Sequence, residues 1–297
     1  MNPRGPTNFG HYDDFGREAA ASRWQWRLRM ALRAALLAAA VVLAGLFLFP
    51  TESHAGRSCE QARPTAQQVQ RGMTLAERTA QALDASGARV VLLARAGQDL
   101  GKYGLRWSHA GIAYKTDAGS WRVAHKLNQC GTAVSGLYRQ GLGEFFLDDP
   151  YRYEAAWSVP SPAVQSQLAA LLAATPASGI GRLHTPAYSL VSYAWADRYQ
   201  QSNQWVIETL ALAMEPSTVT DRGQAQAWLR FKGYVPTTLQ LGPLTRLGGR
   251  MSKANVAFDD HPNDKRFSDR IETVTADSVF AWLQRSGLGS APVTLGL

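Results

Sequence analysis

The alternation of apolar and polar positions is clearest between residues 106 and 127. Arg106–Lys115 and Ser120–Leu127 read as two β-segments, with the turn-like Thr116-Asp117-Ala118-Gly119 between them. A hairpin centred on Asp117 sets His109 and His125 opposite each other on one face, Cβ atoms roughly 5 Å apart. A slip of one residue would send them to opposite faces. Elsewhere, Ala66–Ala85 has helix-like spacing that Gly87 ends, and Arg89–Ala94 is a short β-branched and leucine run. Gly131–Asp149 reads as an ordered loop with a short helix, and Tyr153–Val159 as a strand. Ser161-Pro162 opens a helix to about Ala174. Ser202-Asn203-Gln204-Trp205 opens another, running to about Met214 and apolar on most faces, hence buried. Asp221–Lys232 is a further helix. Ser252–Phe258 and Ile271–Val274 are candidate strands, and Thr275–Arg285 is a helix with a threonine cap. Segregated helices and an antiparallel sheet predict an α+β fold.

The N-terminal pattern differs. Arg23, Arg27, Arg29 and Arg33 crowd before Ala34–Phe49, an uncharged apolar run, and Ser53-His54-Ala55 follows it. Residues 1–55 therefore read as a cytoplasmic flank plus a cleaved signal or a retained anchor. The run would span only ~24 Å as a helix, short of a ~30 Å hydrocarbon core. Either way this segment contacts the membrane at least transiently. Residues 56–297 are then a single exported, periplasmic domain.

Composition adds a little. The net charge of +8 is dispersed, without a basic stripe interleaved with aromatics, so nucleic acid is not an expected partner. Two cysteines, Cys59 and Cys130, both fall in the exported part. A disulfide is the simplest reading in an oxidising compartment, with free or catalytic thiols the rivals. Trp195, Trp205, Trp228 and Trp282 read as core. Asp148-Asp149-Pro150 reads as a turn or cap, and Asp259-Asp260-His261-Pro262 as a solvated loop. Gly248-Gly249 reads as a turn rather than a phosphate loop. No cofactor is expected. No third metal ligand has suitable spacing beside the histidines, His184 and Asp117 being loose candidates.

Two neighbouring histidines suit a general base and the group that orients it. A nucleophile could come from the start of the buried helix, where the dipole favours developing negative charge. Ser108-His109-Ala110-Gly111-Ile112-Ala113-Tyr114 with Val123-Ala124-His125 resembles the His hairpin of papain-fold NlpC-type cell-wall peptidases. It is closer still to the circularly permuted branch that includes lecithin retinol acyltransferase-like enzymes. That branch carries an Asn-Cys-Glu-His-Phe-like motif at the start of a buried helix, where this chain has Gln201-Ser202-Asn203-Gln204-Trp205-Val206. The resemblance implies His109 as base, His125 as orienter and Ser202 at the nucleophile position. Tyr188, Asn203 and Gln204 would support them, with helix N–H groups and Tyr188 at the oxyanion. Over its exported length the chain also resembles an exported bacterial family known only as domain of unknown function number 2145. The residues that carry this are Leu105–Gly111, Phe145–Pro150 and Arg198–Trp205.

Serine in place of cysteine cuts both ways. A thiolate–imidazolium pair cannot form at rest, yet histidine can still deprotonate a serine during attack. Ser202 could also be only an N-cap. Two readings follow. One is an envelope hydrolase or acyltransferase acting on an amide or ester. The other is an inactive papain-fold binding or scaffold protein of the cell envelope.

Overall fold

The structure, a computed structural model, describes residues 30–33, 36, 64–148 and 150–297. The chain separates into two compact units, Met1–Ser53 and His54–Leu297. In the first, residues 30–33 and 36 are helical, with Met30, Leu32 and Leu36 exposed. Apart from Leu36, the expected signal or anchor over 34–49 lies outside the described residues. Cys59 does too, and with it the expected Cys59–Cys130 pairing. No described helix is long and apolar enough to cross a membrane.

The second unit is α+β. Helix α1 (Ala66–Ala85) begins at a capping box: the Thr65 hydroxyl accepts the Gln68 N–H and the Gln68 side chain accepts the Thr65 N–H. The strands are β1 (Val90–Arg95), β2 (His109–Lys115), β3 (Trp121–Asn128), β4 (Ser135–Gly141), β5 (Glu154–Ser158) and, far along the chain, β8 (Val293–Gly296). They form a six-stranded antiparallel sheet in the order β4-β3-β2-β1-β5-β8. Between β4 and β5 lies the short helix α2 (Leu142–Leu147). After β5 come α3 (Pro162–Ala173), α4 (Ser202–Met214) and α5 (Arg222–Phe231). A two-stranded ribbon, β6 (Thr237–Gln240) with β7 (Arg270–Thr273), brackets α6 (Pro243–Ser252) and α7 (Asn263–Arg266). Helix α8 (Ala276–Arg285) precedes β8, and the Thr275 hydroxyl caps it by accepting the Ser278 N–H.

Strand alternation divides the core in two. Val91, Leu93, Ala113 and Val123 face α1 and α2, packing with Leu75, Leu83, Phe145 and Phe146. Leu92, Ala94, Ala110, Ile112 and Ala124 face the other helices, packing with Leu168, Trp205, Leu210 and Trp282. Helix α4 is buried along almost its whole length, as its largely apolar surface predicts. Each such leucine contributes about 1.5–3 kcal/mol of burial.

Several expectations are corrected. The hairpin centres on Ala118, not Asp117. Lys115 pairs with Trp121, and Thr116–Ser120 close the loop through Thr116 N–H to Ser120 O and Gly119 N–H to Thr116 O. Gly119 takes the left-handed conformation, φ 82°, that this turn requires. The stretch expected as a loop after Gly131 contains β4. Ser252–Phe258 is not a strand. Its backbone is satisfied by loops instead, with the Ala257 N–H on Ser189 Oγ and the Asn255 carbonyl accepting from Leu190 N–H. Gly248 and Gly249 lie inside α6 rather than in a turn.

Candidate functional site

The histidines do meet. Continuing the β2–β3 register beyond Ile112↔Ala124 sets His125 across from Gly111, two residues along β2 from His109. Strand periodicity therefore keeps both imidazoles on one face despite the shifted turn. His109 Nε2 lies 2.9 Å from His125 Nδ1, and His125 Nε2 lies 2.8 Å from Gln140 Oε1. The amide oxygen of Gln140 only accepts, so His125 carries its proton on Nε2. His125 Nδ1 then accepts from His109 Nε2–H. A Cβ on Gly111 would sit 2.6 Å from Val123 Cγ1 and 3.0 Å from His125 Cβ. Glycine there lets the second imidazole stand against the first strand.

The surroundings keep His125 uncharged. Burial is the main cause that pulls the His125 pKa down to about 4; the Arg95 charge adds to it and the Gln140 hydrogen bond opposes it. Arg95 pairs across β1–β2 with His109, stacks over the Phe145 ring and bonds both the Phe145 carbonyl and Asp148. Asp148 is thus one half of a buried ion pair and not simply a turn residue. The Phe145 ring touches both imidazoles, with centroids 5.8 and 5.3 Å away.

The residues expected around Ser202 also gather, at the start of α4. The N-cap is Gln201, whose Oε1 accepts from Asn203 N–H at 2.9 Å; Ser202 is the first helical residue. The cap reading of Ser202 is therefore corrected. Its hydroxyl donates to the Lys126 carbonyl at 2.7 Å and is buried. Asn203 Oδ1 accepts the Ala110 N–H at 2.9 Å, which docks the helix on β2. Gln204 Oε1 accepts from Ser192 Oγ at 2.7 Å. Tyr188 is buried beside Ser202: burial raises its phenol pKa, while hydrogen bonds with the Ser202 hydroxyl and backbone oppose the rise.

These two groups belong to different faces. His109 and His125 lie on the α1–α2 side with Gly111, Ala113 and Val123. Ala110 and Lys126, which meet the start of α4, alternate to the other side.

Sequence reasoning missed a larger polar network on that second side. Lys126 is fully buried, and its Nζ donates to Gln200 Oε1 at 2.8 Å and to the Thr185 carbonyl. Gln200 Nε2 donates to Glu208 Oε2 at 2.6 Å, and Gln226 Nε2 to Glu208 Oε1 at 2.8 Å. Arg222 Nε lies 2.8 Å from Glu208 Oε2, and its other nitrogens hold the carbonyls of Ala196, Asp197 and Tyr199. Burial, followed by the Arg222 charge, lowers the Lys126 pKa to about 7, against the pull of Glu208. His184 lies nearby; burial and the Lys126 charge lower its pKa to about 4, and its buried Nε2 has no hydrogen-bond partner. A signal was available: Glu208 is the one charged residue inside the apolar α4.

The Asp259-Asp260-His261 loop is also not solvated. His261 is buried, with Nδ1 2.9 Å from Asp260 Oδ1 and Nε2 3.1 Å from the Glu272 carbonyl. Among the described residues no group of three or more His, Cys, Asp or Glu could hold a metal ion. Two surface clefts lie elsewhere, one lined by Asp84, Lys115 and Asp117, the other by Gln98, Asp99 and Arg106.

An antiparallel sheet with helices on both faces, a buried imidazole pair on one and a buried ion network on the other, defines an α+β domain. The chain belongs to the family described as "Uncharacterized protein conserved in bacteria (DUF2145)", whose model matches residues 82–283. Neither a curated protein nor a solved structure matches it.

Proposed function

We propose that this domain is a non-catalytic binding or scaffold protein of the cell envelope, keeping a permuted papain-like arrangement whose nucleophile position has become structural. The carrying observation is the 2.7 Å hydrogen bond from Ser202 Oγ to the Lys126 carbonyl. A serine has one proton to give, and here it goes to backbone. The hydroxyl anchors α4 to β3, as Asn203 anchors it to β2. The proposal includes export by the N-terminal segment and, in an oxidising compartment, the Cys59–Cys130 disulfide.

The test is labelling of the full chain with a serine-reactive fluorophosphonate. The binding reading expects no labelling above that of Ser202→Ala. Labelling that disappears in Ser202→Ala would overturn it.

One observation favours the hydrolase or acyltransferase reading. The His109 Nε2–His125 Nδ1 link holds the first imidazole in place, as a base held by an orienter requires. That reading has to bring Ser202 and His109 together across the sheet, since Ser202 meets Lys126 on the α4 side and both imidazoles lie on the α1–α2 side. Ser202→Cys sharpens the choice: a thiol titrating well below the ordinary value of ~8.5, and returning toward it when His109→Gln is added, shows that the imidazole pair reaches position 202.

A further inference from the structure

Helix α6 is built inside out. Amphipathic surface helices turn their apolar side to the core. In α6 it is Arg246 and Gly249 that face the body of the protein. Arg246 Nη1 donates to the Ser268 carbonyl at 3.0 Å, and a Cβ on Gly249 would meet Val256 Cγ1 at 3.4 Å. Leu244 and Leu247 occupy the opposite side and are 84% and 55% exposed. Phe267, in the loop whose flanking carbonyls Arg246 holds, is 73% exposed. Leu244 and Leu247 on the outer side of α6, and Phe267 in the loop that α6 rests on, are thus large apolar side chains left open to solvent.

The charge around them has one sign on the helix. Gly242–Lys253 carries Arg246, Arg250 and Lys253 and no carboxylate. Lys102 lies close enough to Lys253 for the two charges to repel. Arg266 stacks on Phe267 at 5.4 Å. Asp269 is engaged with Arg246 at 3.5 Å, and Glu272 with Lys265 at 2.5 Å; Asp264 lies in the first turn of α7. An apolar crest among cations suits a surface that offers both an apolar boundary and anionic groups.

We propose that α6 and the Phe267 loop form a peripheral docking surface for an anionic lipid bilayer. Leu244, Leu247 and Phe267 enter the headgroup–acyl boundary, while Arg250 and Arg266 meet lipid phosphates. This surface is independent of Ser202 and the histidines.

The apolar run at 34–49 brings its own affinity for lipid, so the test reads α6 alone within the full chain. Amide hydrogen exchange over residues 243–253 is compared on vesicles of pure phosphatidylcholine and of phosphatidylcholine with phosphatidylglycerol. The expected result is exchange slowed about tenfold on the anionic vesicles only. The slowing disappears in Leu244→Ser/Leu247→Ser, and Arg250→Gln weakens it by about fivefold. Equal exchange on both vesicles overturns the proposal. So does slowing that tracks protein concentration without lipid, which assigns the crest to a second copy of the chain.

Discussion

The two faces of the sheet solve the same problem in opposite ways. On the α1–α2 side, His109 and His125 sit among Phe145, Gly111 and Val123, and burial keeps His125 neutral. On the α4 side, Glu208 and Arg222 remain a fully hydrogen-bonded ion pair, and Lys126 docks against their neighbour Gln200. The difference lies in partners. Glu208 receives donors from three side chains, so its charge is matched where it stands. His125 has one amide oxygen and one imidazole, enough for a neutral ring only.

The comparison breaks most severely at Glu208. Glu208→Ala leaves Arg222 and the donors of Gln200 and Gln226 without their acceptor, and destabilises by about 3–5 kcal/mol in urea unfolding. A loss under 1 kcal/mol would show the network to be dispensable.

The faces also separate by pH. The His125 pKa is lower folded than unfolded, about 4 against 6.5, so the unfolded chain binds the extra proton between those values. Stability from this group is complete above pH 6.5 and is lost as pH falls through 4, by about 3 kcal/mol. Lys126 shifts in the same direction, to about 7 from 10.5, so its term rises between pH 7 and 10.5. Unfolding free energy against pH for the protein, His125→Gln and Lys126→Met should flatten the acid limb in the first variant and the alkaline limb in the second. A flattened alkaline limb in His125→Gln would contradict the division.

Gly111→Ala tests the packing of the imidazole face. The methyl presses on Val123 and His125 and costs about 1–3 kcal/mol in thermal or urea unfolding. The His125 ring resonances shift with it, whereas those of Trp205 on the α4 side stay in place. The smallest effect is at the joint between the faces. Ser202→Ala removes one donor from the Lys126 carbonyl and costs about 1 kcal/mol by the same measurement.

The imidazole face was largely legible in the sequence. Period-two alternation marks β2 and β3, and two residues on one face stay there even when the turn shifts. Helix α4 was legible from its apolar surface. What escaped depended on distance or on side-chain substitutes for a ladder. Lys126 looks like an ordinary strand lysine until Gln200 and Glu208, remote in sequence, arrive beside it. Strand β4, Ser-Gly-Leu-Tyr-Arg-Gln-Gly, is a half-exposed edge with two glycines and little β-propensity. Helix α6 hides behind a glycine pair that propensity reads as a turn. Ser252–Phe258 has β-like composition, but its backbone is held by Ser189 and Leu190 rather than by a strand.

Strand β8 gives the sheet a history as well as a border. It alone pairs the outer edge of β5, where Ala155, Ala156 and Trp157 lie. Strands β1–β5 leave the ribosome with α1 and α2, so the imidazole side can close early. The edge that receives β8 must wait for more than a hundred further residues, roughly ten seconds of translation, and the side that receives α4 for about the first forty of them. During that interval the nascent chain presents a bare apolar face and an unpaired strand together, the combination on which chaperones and aggregation compete.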